Sequence, residues 1–195
     1  AQSIAPGRFA GAIDCARITI AREGVAALYK GLFYPVCAQG LYKAVMFGAN
    51  GAAQRGVRAL LGVGAAVDHT DASGMTPLMS ACAYGDDPCA RALIEAKANL
   101  EAADPQGSTA LIVSCQEGHE RCVQALVAAQ ANLEATQFEG FTALIASCEF
   151  GHDLCARALL EAGAQIDHAA NHGGTALFMA SMNGHESCAR LLIEK

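Results

Sequence analysis

The chain has 195 residues, 53% of them apolar and 16% charged, which is too apolar for a disordered chain and long enough for one or two domains. The net charge of −6 divides unevenly: residues 1–56 hold six Lys/Arg and two Asp/Glu (net +4), and residues 57–195 hold seven and seventeen (net −10). An acidic region of that kind argues against nucleic acid as a partner, and the basic, apolar N-terminal part is better suited to a membrane.

Residues 12–22 form a short amphipathic pattern ending at Glu23-Gly24, followed by Leu28-Tyr29-Lys30-Gly31. The 24 residues between Lys30 and Arg55 carry one charge, Lys43. Gly31 to Gly51 is about long enough to cross a hydrocarbon core of roughly 30 Å. Leu32, Phe33, Tyr34, Val36, Val45, Met46 and Phe47 supply apolar surface, and Gly40, Gly48 and Gly51 permit close helix approach. Hydropathy leaves a buried helix or a cap on a repeat array equally open.

The segments Phe9-Ala10-Gly11-Ala12-Ile13-Asp14-Cys15, Glu23-Gly24, Leu28-Tyr29-Lys30-Gly31, Pro35 and Ala44-Val45-Met46-Phe47 together resemble part of a mitochondrial carrier repeat, over roughly residues 6–51. The resemblance implies a short matrix-surface helix, then an even-numbered transmembrane helix, with membrane insertion through residues 31–51. It implies a membrane location, the mitochondrial inner membrane, with the cytoplasm as the alternative. A carrier needs three such repeats. The odd-numbered helix with its P-x-[DE]-x-x-[KR] motif is absent, and the even-helix charge motif would fall at uncharged Ala49, Asn50 and Ala53. Ala38 stands where many carriers place a basic substrate contact. The chain alone is therefore not expected to transport. If this helix is the carrier's last, residues 57–195 face away from the matrix.

From residue 57 a 33-residue beat takes over. Gly74-Met75-Thr76-Pro77-Leu78 returns as Gly107-Ser108-Thr109-Ala110-Leu111, Gly140-Phe141-Thr142-Ala143-Leu144 and Gly173-Gly174-Thr175-Ala176-Leu177. Glycine recurs at Gly85, Gly118, Gly151 and Gly184. Cysteine recurs at Cys82, Cys115 and Cys148, and again at Cys89, Cys122, Cys155 and Cys188. Such a period marks a stacked repeat architecture. Thr76 can cap a helix that Pro77 begins, with Leu78, Met79 and Cys82 on one face; Gly85 allows a sharp turn, and Cys89, Leu93 and Ile94 mark a second helix. Helices of about eight to ten residues are too short to stand alone, so the core must come from stacking.

These residues resemble the ankyrin repeat over residues 57–195. A half unit (57–71) precedes complete units at 72–104, 105–137 and 138–170, and an incomplete one spans 171–195. The implied fold is all-α: a helix-turn-helix solenoid with hairpin loops, preceded by the amphipathic helix and the apolar one, with residues 1–56 as a separate carrier-like segment. The family's histidine after T-P-L is replaced by Met79, Ile112, Ile145 and Phe178. The glycine ending the second helix is kept at Gly64 and Gly163 but is Lys97 and Gln130 elsewhere, so the middle units are expected to be softer there. The chain begins without methionine and ends on a helix that looks internal to an array, and so reads as a piece of a longer protein.

Nine cysteines is an odd number, and seven sit at helix positions of the grid, read as small apolar core residues in a reducing compartment. Cys115, His119 and Cys122, like Cys148, His152 and Cys155, offer three ligands where zinc needs four. His119, His152 and His185 match a structural histidine of the ankyrin pattern, and His168 and His172 flank a hairpin. No catalytic, cofactor-binding or metal-ligating residue is assigned, and the chain is not expected to be an enzyme.

The ankyrin resemblance implies a protein partner on the concave face, met by hairpin tips and the inner face of the first helices. The candidate contacts are Tyr84, Gln116, Glu117, Phe138, Glu139, Phe141, Glu149, Phe150, His172 and Met182. Phe138, Phe141 and Phe150 are expected to form an aromatic patch bordered by Glu139 and Glu149. The function expected is a protein-interaction scaffold or adaptor tethered to a membrane. The alternative is a fragment of a carrier-type solute transporter fused to an ankyrin domain.

Overall fold

The computed structural model describes residues 67–195. The carrier-like segment, its apolar stretch 31–51 and most of the leading half unit lie outside the described residues. Eight α-helices occur among those described: α1 Pro77–Ala83, α2 Asp87–Glu95, α3 Ala110–Gln116, α4 Glu120–Ala128, α5 Ala143–Glu149, α6 Asp153–Glu161, α7 Ala176–Met182 and α8 Glu186–Ile193. Among the described residues no helix is long and apolar enough to cross a membrane.

Each unit opens the same way. The hydroxyls of Thr76, Thr109, Thr142 and Thr175 accept from the backbone N–H three residues on, at 3.2, 3.5, 3.4 and 3.3 Å. This satisfies one of the donors a helix start leaves free, and Pro77 needs no donor at its position. The first helices are seven residues long, and each packs against its own second helix and against the first helix of a neighbouring unit. The second helices form a parallel row behind them.

Stacking makes the core. Leu78, Leu111 and Leu144 are each 1% exposed, and Met79, Ile112 and Ile145 are buried beside them. The apolar residues standing in for the family histidine therefore fill the space between units. Phe178, the fourth in that series, is 53% exposed, because no described unit covers it.

Polar links tie the units along two edges. Asp68 Oδ1, Glu101 Oε1 and Glu134 Oε1 accept from the backbone N–H of Asn99, Asn132 and Gln165 in the following unit, at 2.8, 2.8 and 2.9 Å. The histidines before the second helices do not cap those helices. Instead the Nε2 of His119, His152 and His185 donates back to the carbonyls of Ala83, Gln116 and Glu149, at 3.2, 3.0 and 2.9 Å. In the first full unit Asp86 replaces the histidine and caps α2 itself, accepting from Cys89 N at 3.1 Å.

Lys97 and Gln130 adopt left-handed backbone (φ 65° and 63°) where Gly163 has φ 92°. Side chains at such positions cost about 1 kcal/mol relative to glycine. Lys97→Gly is expected to stabilise the repeats by up to about 1 kcal/mol, read as a higher urea midpoint at unchanged m. A lowered midpoint would show that Lys97 contributes an interaction outweighing its strain.

Candidate interaction surface

The sulfur and imidazole groups are used inside the stack. All seven cysteines among the described residues are free and buried. The thiol of one unit's first helix lies near that of the next unit's second helix: Cys82 near Cys122, Cys115 near Cys155 and Cys148 near Cys188, close enough to act on one another's ionisation. Period alone does not reveal this diagonal, which joins the two cysteine columns across each interface. Burial pushes the Cys115 thiol well up and those of Cys148 and Cys155 to about 12, and burial with the neighbouring Asp86 does the same for Cys89. Such thiols stay protonated and are poor nucleophiles and poor metal ligands. Among the described residues no three His, Cys, Asp or Glu side chains are grouped so as to hold an ion.

Because these folded thiols titrate above their ordinary value of 9.0, their contribution to stability is complete below about pH 9 and declines as pH rises toward about 12. The urea midpoint is expected to be flat from pH 7 to about 8.5 and to fall steeply above it, with iodoacetamide modifying these cysteines only once the stack opens. Rapid alkylation of the native chain at pH 7.5 would contradict the burial.

The candidate contact residues gather at two kinds of place. Tyr84, Glu117 and Phe150 are the C-caps of α1, α3 and α5, while Gln116, Glu149 and Met182 close α3, α5 and α7. The hairpins supply Phe138, Glu139, Phe141 and His172. Helix ends and hairpins share one side of the stack, for Gln116 Nε2 donates to the hairpin Gln137 Oε1 at 3.3 Å. Tyr84, Phe138, Phe150 and Met182 are exposed at 59, 83, 50 and 62%. Glu117, Glu139 and His172 are exposed, and Gln116 and Glu149 are partly so.

Phe141 departs from the expected patch, being only 4% exposed. The residue after the turn glycine points between neighbouring hairpins, as does its equivalent Ser108, whose hydroxyl donates to Gln137 Oε1 at 3.0 Å. The Phe141 ring sits inside, tilted against His172 with centroids 5.5 Å apart. It supports the surface from beneath and leaves Phe138 and Phe150 as the exposed phenylalanines.

Two further features shape the surface. The Phe150 ring stacks on His152 (centroids 6.5 Å, planes 25° apart), so the histidine that bridges units also steadies an exposed aromatic. Asn171 holds the adjoining hairpin in register: its N–H donates to the Glu139 carbonyl at 3.0 Å and its Nδ2 to the Phe138 carbonyl at 3.1 Å.

Glu149 occupies the position that Gln116 holds one unit earlier. There Gln137 and Ser108 form a hydrogen-bonded group with Gln116, whereas Ala170 and Phe141 stand in their places beside Glu149. Among the described residues no hydrogen bond or ion pair reaches the Glu149 carboxylate. Burial, then the charge of Glu139, raises its pKa, with His172 opposing. Sequence position reveals Glu149, but its missing partners become visible only when the facing hairpin is in place.

Residues 41–137 and 128–195 match a family model described as ankyrin repeats (3 copies), and residues 1–59 match one described as mitochondrial carrier protein. No curated protein matches the chain.

Proposed function

The chain belongs to the ankyrin-repeat family, and on that basis we propose that its repeats act without catalysis, as an adaptor whose protein partner lies on the concave side formed by first-helix ends and hairpins. The observation that carries this reading is the exposure of Phe138 and Phe150, two large aromatics that with Tyr84 and Met182 lie at the first-helix ends and hairpins. Rigid aromatics with little side-chain entropy to lose are typical anchors of interfaces. A photo-crosslinking amino acid placed at Phe150 in the full chain should capture another protein in cells, and one placed at Arg157 in α6 should not. Capture at Arg157 alone would place the interface on the other row of helices.

The match of residues 1–59 to the carrier family favours a second element of the proposal, a membrane tether through residues 31–51. The full chain should then remain with membranes after alkaline carbonate washing. Release into the wash would remove the tether and leave the repeats as a free adaptor. The competing reading, a fragment of a carrier-type transporter bearing these repeats, rests on the same match; it requires further carrier-like repeats in frame upstream in the transcript.

A further inference from the structure

The described cations are segregated. Arg91, Arg121, Arg157 and Arg190 lie in α2, α4, α6 and α8, Lys97 follows α2, and Lys195 follows α8. The first helices and the hairpin turns therefore carry no lysine or arginine among the described residues, while Glu117, Glu139 and Glu149 are placed there. Arg91 and Arg190 are paired with Asp87 and Glu186 on their own helices, four residues apart, so they do not reach across to these acids.

Glu139 and Glu149 lie close enough to act on each other, and each adjoins an exposed phenylalanine in the chain. Asn171 ties the Phe138-Glu139 hairpin to its neighbour, Glu139 and His172 both act on Glu149, and Glu149 precedes Phe150 in the chain. Among the described residues the partly desolvated Glu149 carboxylate has no hydrogen-bond donor, and the repulsion from Glu139 outweighs the opposing effect of His172. A cationic side chain arriving from outside would relieve both the desolvation and the repulsion. The flanking rings offer apolar contact, and Phe150 can also face a guanidinium.

We infer that the partner surface takes a segment of a separate protein that carries arginine or lysine next to an apolar side chain, the cation meeting Glu139 and Glu149 and the apolar group meeting Phe138 and Phe150. This rests on the proposed function, and it adds the chemistry of the partner. Apolar burial would supply adhesion, and the charge pairing would supply register and rejection of acidic segments.

The test is selection of a randomised twelve-residue peptide library displayed on phage against the full chain. Binders enriched in Arg/Lys adjacent to aromatic or aliphatic residues are expected. A selected peptide should lose about tenfold in affinity against the Glu139→Gln/Glu149→Gln chain and at least as much against Phe138→Ala/Phe150→Ala. Arg157→Gln should leave it unchanged. Its affinity should also weaken as salt rises from about 50 to 500 mM, since exposed charge pairs are screened. Binders without basic residues, or affinity indifferent to the glutamine variant, would overturn the charge assignment and leave an apolar interaction site standing. No enrichment at all, or enrichment unaffected by the alanine variant, would overturn the interaction reading of this face. The chain's own basic residues 1–56 or a second copy could fill the same place. A photo-crosslinker at Phe138 in the full chain that captures either one would overturn the assignment to a separate protein.

Discussion

Leu144→Ala is expected to remove about 3–5 kcal/mol from the stability of the repeats, and Leu177→Ala only about 1–2 kcal/mol. The two leucines are the same letter at the same point of the 33-residue phrase, yet one is 1% exposed and the other 37%. Leu144 sits between α3 and α7, so truncation leaves a cavity that close-packed neighbours on both sides can only partly fill. Leu177 lies on the outer side of α7, where water can occupy the space. Urea unfolding of the two variants measures the difference directly. Equal losses would mean that α7 is covered as completely as α5. Because repeat arrays gain stability through neighbour interfaces, the Leu144 variant should also broaden the transition, as the stack divides at the weakened interface.

Gly118→Ala is expected to cost about 2–3 kcal/mol, against about 1 kcal/mol for Gly184→Ala. Both glycines have left-handed backbone, φ 74° and 75°. A Cβ on Gly118 would lie 2.5 Å from His152 Nδ1, whereas one on Gly184 would meet nothing within 4 Å. The alanine must therefore displace the His152 ring, which donates to Gln116 O and supports Phe150. In a His152→Ala background the Gly118→Ala cost should fall to that of Gly184→Ala, because only the backbone strain remains. A cost that persisted without the imidazole would mean that the histidine is not what confines the glycine. The Gly118 variant should also weaken any ligand that rests on Phe150, even though residue 118 is not itself a contact residue.

The separation between Phe138 and Phe141 shows where reading the chain alone stops. Both are phenylalanines in one hairpin, three residues apart, and local pattern makes them equal members of a patch. What divides them is the neighbouring hairpins. The Phe138 N–H donates to Gln106 O of the preceding hairpin at 2.8 Å, which fixes the backbone and leaves the ring outward, while the position of Phe141 is enclosed by the next hairpin and His172. Glu149 behaves likewise: its character depends on Ala170 and Phe141 taking the place of the group that engages Gln116. These are contacts between residues about twenty to thirty-three positions apart, and no propensity encodes them.

The 33-residue unit, the threonine caps, the positive-φ turns and the column of residues that must be buried are all legible from the order of residues. Caps, turns and helical periodicity act within a few residues, so a local reading suffices. Lys97 and Gln130 are marked as strained in the same way, because the backbone there has to turn left-handed whatever surrounds it. Packing between units settles the rest: which aromatic stays in water, which cysteine meets which, where each histidine donates, and why Leu144 and Leu177 differ in exposure. A single ankyrin unit has no interior of its own. Burial, desolvation and hydrogen-bond satisfaction arise at the boundary between units, and there identical letters acquire different neighbours.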